Sequence, residues 1–523
     1  MSLQDITEDA DLLDVLPQLQ NQQWNWSNQH YKEPSTDFTG KLEEAPPDGL
    51  LKTPLQFFKL MVTDHMISNI SEQTNLYAMQ KEGIQLSTTQ KEIEIMIGVY
   101  LRMGLVQMPR VRAYWETDSR FPPIADAISR NRFEKIATMI HFINNMSVTD
   151  DQKKDKLWKV RPWIEQLRNR FLEIPPEENH AVDEIMVSFK GKSSLKQYIR
   201  GKSNPWAFKL WGRAGASGIL YDFDVYQGSS EKAANSIGVG GDVVLKLCST
   251  LEPRNYKIFA DNYFTSLPLV KALQDRSLWY VGTVRSNRLK GCILKSEKEL
   301  KKEGRGSVDF KVETSCNIIA LRWFDNKSVD VVSSYVGLNP IGEVRRWDKK
   351  AKQFIIVKRP NIIETYNKLM GGVDLLDSLV SLYKQKMKSR RWYMYIFWHT
   401  ILIAAVNAWL WYKRHCSLLH RKPMKLCNFI RDVASGLIEF KSKVGRPAGL
   451  SPQPSLPKPL TRKPTLDVSQ DCLDHFPLWD AKRQRCKYQY CEGFSYVKCI
   501  KCNAHLCLNK DRNCFTAFHF SGK

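Results

Sequence analysis

Six cysteines and two histidines crowd into residues 486–519, and seven of them are spaced Cys486-x4-Cys491-x7-Cys499-x2-Cys502-x4-Cys507-x6-Cys514-x4-His519. Thiolate and imidazole are zinc ligands, and a closed tetrahedral site takes four of them. Seven donors within 34 residues exceed one site and nearly fill two. So short a segment has no core large enough to fold alone, and bound metal must supply its stability. The spacing reads as a cross-brace around two Zn²⁺ ions. Cys486, Cys491 and Cys507 would hold one; Cys499, Cys502, Cys514 and His519 would hold the other. For the eighth ligand His505 is the nearest candidate, with Asp511 and His475 behind it.

A RING-type ubiquitin ligase is the rival reading of that spacing. Seven residues between the second and third ligands make a short loop for such a fold. Residues 481–523 also carry nine Lys or Arg against two acidic residues, which suits DNA better. Six prolines among the 21 residues 445–465 form a stiff linker that sets this module apart. The other cysteines are scattered, and the first 15 residues carry five acidic side chains and no basic one. That is no signal peptide, so the expected compartment is reducing and the clustered cysteines are ligands rather than disulfides.

The whole chain of 523 residues has 78 Lys or Arg against 55 Asp or Glu, a formal charge of +23. This disfavours an acidic-surfaced enzyme for cationic substrates and favours a polyanionic partner. Trp392 to Tyr412 is a run of 21 residues without formal charge, long enough to span a bilayer. It contains His399, Thr400 and Asn407 and is flanked by Arg or Lys on both sides, so it reads as a buried core helix, and no membrane partner is expected. The ten Lys or Arg and no acid of residues 381–425 surround that helix and read as a phosphate-tracking face.

Periodicity divides the rest. Residues 1–45 are polar and read as a flexible arm. Helical patterns follow, with Ile93, Met96, Val99 and Tyr100 on one face, Phe133, Ile136 and Ile140 on a second, and Trp163, Leu167 and Phe171 on a third. Strand patterns begin near residue 180, at 181–189, 219–226, 257–264 and 279–285, with Ser266 as the cap of an intervening helix. The Lys/Glu-rich residues 288–312 read as a loop-like insertion, and strands return at 317–323 and 328–334. Helical patterns resume at about 366.

Asp183 lies in the first of these strands, Asp261 at the end of another, and Asp374 at the start of a helix after Gly371-Gly372, with Asp377 one turn on. Phosphoryl transfer on nucleic acid uses two hard cations about 4 Å apart, bridged and flanked by carboxylates. Mg²⁺ keeps most of its waters, so three or four Asp suffice. Around these residues stand DEIMVSFKGKSSLKQYIRGKSNPWAFKLW (183–211), DNYFTS (261–266), YNKLMGGVDLLD (366–377) and RRWYMYIFW (390–398). In content, order and separation they resemble the piggyBac transposase family over residues 50–440, and the Cys/His cluster resembles that family's terminal zinc domain.

The resemblance implies an α/β protein. Its RNase H-like catalytic core is interrupted by an insertion domain and embedded in a split helical dimerisation and DNA-binding domain, with a zinc-binding module after it. The implied divisions are 1–48 (arm), 49–178 and 384–444 (helical domain), 179–287 and 362–383 (catalytic core), 288–361 (insertion), 445–470 (linker) and 471–523 (zinc module). It implies that Asp183, Asp261 and Asp374 are catalytic, with Asp377 in support, and that they hold Mg²⁺ or Mn²⁺. The expected protein is a nuclear homodimer that cuts and joins double-stranded DNA, acting on transposon ends and TTAA targets. A domesticated, catalytically silent DNA-binding protein is the alternative. The chain departs from the family at Gly191-Lys192, where Gly-Arg is usual, which loses a bidentate fork. The basic run Lys190, Lys192, Lys196, Arg200 and Lys202, with Tyr198 and Trp206, is a further candidate for DNA backbone contact.

Overall fold

The computed structural model describes residues 22–199, 201, 205–228, 237–349, 351–385, 387–438, 475–489 and 491–520. Arg200, Lys202 and the Pro-rich linker lie outside them. The chain divides into two compact units, Met1–Lys441 and Ser442–Lys523.

The first unit is built on one mixed sheet. Strand β1 (Trp26–Ser27) lies at one edge. The central strands are β2 (Asn179–Ser188), β3 (Gln197–Tyr198), β4 (Trp206–Gly215), β5 (Leu220–Val225), β6 (Lys257–Ala260) and β7 (Trp279–Thr283). Beyond them come β8 (Val308–Glu313), β9 (Ile318–Phe324) and β10 (Ser328–Ser333). The order is β1-β8-β9-β10-β7-β6-β2-β4-β3, with β5 also on β4. β2, β6 and β7 run parallel, and the other pairings are antiparallel. Strands β5-β4-β2-β6-β7 thus give an inner sheet whose first strand is central, with a hairpin pair on one side and crossover strands on the other.

Helices cover both faces. One face is packed by α1 (Pro54–Met61), α2 (Asp64–Glu82), α3 (Gln90–Leu105), α4 (Arg130–Met139) and α5 (Arg161–Leu172). The opposite face carries α6 (Val239–Cys248) and α7 (Leu267–Asp275), the latter capped by Ser266 Oγ accepting from Leu269 N–H. After α8 (Glu297–Glu303), strand β11 (Gly342–Asp348) and β12 (Gln353–Arg359) form a separate hairpin. The chain then enters α9 (Asn361–Leu369), α10 (Gly372–Leu382), α11 (Tyr393–Leu418) and α12 (Leu426–Ile438). Helices α11 and α12 return to α1–α5, and one apolar cluster contains side chains of all of them. Gly98 allows one close approach: a Cβ there would stand 2.8 Å from Ile438 Cγ1 and 3.0 Å from Ala434 O.

α11 is long and apolar enough to cross a membrane by composition, and 83% of its most apolar stretch is buried inside the protein. Two of its buried polar residues, Asn407 and Thr400, have internal partners. Asn407 binds the backbone of Leu220 on the edge strand β5 through both amide atoms, at 2.7 and 2.9 Å. Thr400 Oγ1 accepts from Trp163 Nε1 at 2.9 Å. His399 has neither ring nitrogen bonded, and burial holds it neutral. A buried ion pair joins α5 to β5, where Arg168 grips Asp222 through Nε and a terminal nitrogen.

Four expectations change. The arm read as flexible is docked from Gln22 onward: β1 pairs with β8, and Glu43 accepts from Trp411 Nε1 at 2.9 Å and pairs with Arg414 and His415. The loop-like 288–312 contains α8 and β8, because Ser296 and Glu299 form a capping box and Gly304, at φ +102°, ends the helix. The strand at 257–264 stops at Ala260, since Asp261 turns the chain: its Oδ1 accepts from Tyr263 N–H, and its carbonyl accepts from Thr265 Oγ1. The strands after Arg288 prolong the main sheet through β10 on β7, so within the expected insertion only β11–β12 stands apart as its own sheet.

Candidate catalytic centre and metal clusters

The parallel register pairs Val182 with Ala260, and Ala260 with Gly282. One residue further along come Asp183, still within β2, and Asp261, just past the end of the neighbouring β6, next to Thr283 of β7. The third carboxylate arrives on α10. Gly372 makes that approach possible, because a Cβ there would lie 2.3 Å from the Gly215 carbonyl oxygen. Asp374 then sits in the first turn of α10, where the helix dipole favours negative charge.

The electrostatics record the convergence. Burial pushes the Asp183 carboxyl up to about 7; the Glu184 N–H, at 2.7 Å, pulls against this, and the charges of Glu184, Asp261 and Asp374 add to it. Asp261 is raised too, by burial first and then by Glu184, with Lys209 opposing. Three acids around a partly buried point with so little cationic compensation are chemically suited to a hard divalent cation. The carboxylates are not drawn into a closed cluster: among the described residues, only the two thiol and imidazole groups below bring all their donor atoms within 4.8 Å of one another. Asp377 lies one turn along α10, where its charge acts on half-buried Lys384.

Three site residues escaped the sequence reading. Glu184 stands beside Asp183 and acts on both strand carboxylates. Lys209 lies 3.8 Å from the Trp211 ring centroid and 4.6 Å from that of Tyr263, while pairing with Glu184. Tyr366 bonds to Thr283 at 3.5 Å, and burial, with the charges of Asp261, Asp183 and Asp374, pushes its hydroxyl up to about 12. The Asp-Glu pair and the tyrosine of the 366–377 motif were visible signals, but only the fold aims them at one point.

Of the basic features, Lys190 and Lys192 are exposed, and Lys196 lies 4.5 Å over the exposed Trp206. The 381–425 block divides. Arg391 donates to the carbonyls of Ile140 and Ala137, and Arg414 to Pro175 O, so these two arginines tie the fold together. Lys388, Arg390, Lys413, Arg421, Lys422 and Lys425 remain exposed. Asn262 accepts from Arg285, and Trp398 is buried against Tyr100, a core role.

In the second unit, strand β13 (Pro477–Arg485) pairs with β14 (Phe494–Cys499), followed by α13 (Cys514–Phe520). All seven expected ligands fall into two groups of four, but the partition differs. One group is Cys486, Cys491, Cys507 and Cys514; the other is His475, Cys499, Cys502 and His519. Cys514 changes sites because Leu508 bridges to Asn513, folding the intervening loop back and setting Cys514 beside Cys507. His475 completes the second group because the register puts Pro477 opposite Cys499. Its Nδ1 lies 3.4 Å from Cys499 Sγ and 3.5 Å from Cys502 Sγ. His505 is turned to Asp480 at 3.0 Å, and Asp511 stays exposed. His519 Nδ1 bonds to Phe515 O at 2.8 Å, which leaves Nε2 for the cluster. A Cys₄ and a Cys₂His₂ set fit zinc.

A family model described as "Transposase IS4" matches residues 53–409. PiggyBac transposable element-derived protein 3 of Homo sapiens is 32% identical over 472 residues, covering 88% of this chain and 76% of the relative. The chain belongs to the piggyBac transposase family. A second piggyBac relative, PiggyBac transposable element-derived protein 2 of Homo sapiens, is 32% identical over 83% of this chain and 72% of its own length. The fold matches a chain of the cryo-EM piggyBac transposase synaptic complex with hairpin DNA at a TM-score of 0.66 and 20% identity. That match covers 89% of this chain and 98% of the other. As a member of a transposase family, the piggyBac-type chain is assigned to DNA-cleaving and DNA-transferring proteins that use a divalent metal.

Proposed function

We propose that this chain is a nuclear, homodimeric piggyBac-type transposase. In this reading it binds transposon terminal repeats and carries out metal-dependent DNA cleavage and strand transfer at TTAA sites. The observation that carries the reading is the convergence of Asp183 from β2, Asp261 from the turn that ends β6 and Asp374 from the start of α10. Bound Mg²⁺ or Mn²⁺ supplies Lewis acidity, lowering the pKa of the attacking water or 3′-hydroxyl and taking up charge on the leaving oxygen.

The chain's own groups prepare that event. Asp183, whose burial opposes ionisation near neutral pH, would give up its proton on holding a cation. Asp261 is held by the backbone amides of Tyr263 and Phe264, which limits its reorganisation. Lys209 offsets the acid charge from the side of Glu184. In the second unit, the Cys₄ and Cys₂His₂ sets would each hold one zinc ion and fix a basic module for reading transposon ends.

Asp→Asn at position 183, 261 or 374 is expected to abolish nicking and excision of a DNA carrying matched ends, while circular dichroism stays native. Cleavage by Asp261→Asn near the wild-type rate, or cleavage in excess EDTA, would falsify the assignment. A second reading is favoured by the relatives, which are named as transposable element-derived proteins. In it the chain binds DNA with the same surfaces and does not cut. Undiminished binding to end DNA, with no excision by the wild-type chain in Mg²⁺ or Mn²⁺, would select it.

A further inference from the structure

The hairpin β11–β12 presents a surface that the catalytic centre does not use. Residues 342–359 carry seven Lys or Arg against two acids. The register pairs Glu343 with Lys358, Arg345 with Ile356 and Trp347 with Phe354, so these six side chains share one face. The opposite face, with Val344, Ile355 and Val357, packs into a core cluster of the sheet. The hairpin is also pinned from below. Trp323 Nε1 donates to Lys358 O at 2.9 Å, and Arg346 donates to Asp325 at 3.1 Å.

The outer face is held open to solvent. Trp347 is 49% exposed, Phe354 54% and Ile356 61%. The two rings meet edge to face at 5.1 Å, and the Arg345 guanidinium lies 4.0 Å above Phe354. Lys349 and Lys352 extend the charge at the tip. A merely solvated ribbon has no use for three large apolar side chains in a row. A protein partner would be met with few lysines, since interface cores are depleted of them. Cations around exposed rings match a polyanion with apolar edges, and a two-stranded ribbon has the width that a DNA major groove admits.

We propose that the outer face of β11–β12 is a duplex DNA-binding surface, in which Arg345, Lys349, Lys352 and Lys358 meet phosphates and Trp347 packs on the sugar and base edges between them. This rests on the reading of the chain as a DNA-binding protein and assigns part of that binding to a segment outside the catalytic centre.

The test uses the full chain and a random-sequence duplex, with affinity measured across a salt series. The triple variant Arg345→Gln, Lys352→Gln, Lys358→Gln should flatten the log–log salt slope by about 2.7, at roughly 0.9 per lost phosphate contact. Trp347→Ala should weaken binding about tenfold at an unchanged slope, as loss of one aromatic contact predicts. If the triple variant fails to fold, Lys352→Gln alone decides, with an expected drop of about 0.9. Wild-type binding with an unaltered slope in the variants overturns the hairpin assignment and leaves the transposase reading intact. Absence of wild-type binding overturns both. A change in sedimentation with DNA binding untouched would make the face a contact between copies and likewise overturn the proposal.

Discussion

Asp183, which the proposed function makes catalytic, works against its own fold. Burial pushes its carboxyl from the ordinary 3.8 up to about 7, so the native state holds a proton that the unfolded chain has released between those values. Stability of the metal-free protein therefore falls as pH rises through that window. Asp183→Asn is expected to raise metal-free stability at pH 7.5 by about 1–3 kcal/mol, with the gain shrinking towards pH 4. Added Mg²⁺ should raise the melting temperature of the wild type and not that of the variant. Thermal melts at the two pH values, with and without metal, check this; a variant less stable at pH 7.5 refutes it. That Asp183, Asp261 and Asp374 act on one another was legible, because each sits in an ordered sequence motif. Glu184, Lys209 and Tyr366 were not, because a lone residue in a strand or helix says nothing about which neighbouring strand it will face.

Among the elements, α11 carries the most consequences. Its uncharged run made a buried helix legible, and its asparagine and threonine looked like exceptions until strand β5 and Trp163 were seen to use them. Glu43 adds a partner that periodicity could not supply, since it comes from a polar segment with no pattern. There, burial alone would raise its carboxyl, and hydrogen bonds from His415 and Trp411 and the charge of Arg414 bring it below the usual range. A depressed carboxylate contributes stability above its unfolded pKa and loses it as pH falls through the folded value. Glu43→Ala should destabilise the first unit by about 2 kcal/mol, leaving Arg414 and His415 with an uncompensated environment. Glu43→Gln should cost less, because it keeps the acceptor for Trp411. Urea unfolding at pH 7 distinguishes the two, and equal stability of all three proteins would refute the clamp. The zinc ligands were legible as a set and misassigned as pairs of sites. Spacing counts donors, whereas the Leu508–Asn513 bridge and the β13–β14 register decide which donors meet.

At the scale of the whole molecule, the second unit has its own small apolar cluster, composed largely of the ligand cysteines themselves. If the two clusters hold zinc as proposed, its folding free energy is metal-binding free energy. Chelation of the full chain with 1,10-phenanthroline should remove one thermal transition and leave that of the first unit in place, with two zinc ions released per chain by elemental analysis. A single transition that shifts as a whole would refute this independence.

The shared core of the first unit has a temporal side. Helices α1–α5 are complete by Leu172, yet the helices that cover them begin only at Tyr393. A ribosome adding about 5–20 residues per second needs on the order of 10–40 s to bridge that interval. During it the apolar faces around Phe57, Met96 and Trp163 stand uncovered, and the sheet between them is still being threaded from sequence-distant strands. Nascent chains should thus engage ribosome-associated holdases from the emergence of α1 until α12 leaves the exit tunnel. A chain cut before Tyr393 should remain bound to them rather than fold.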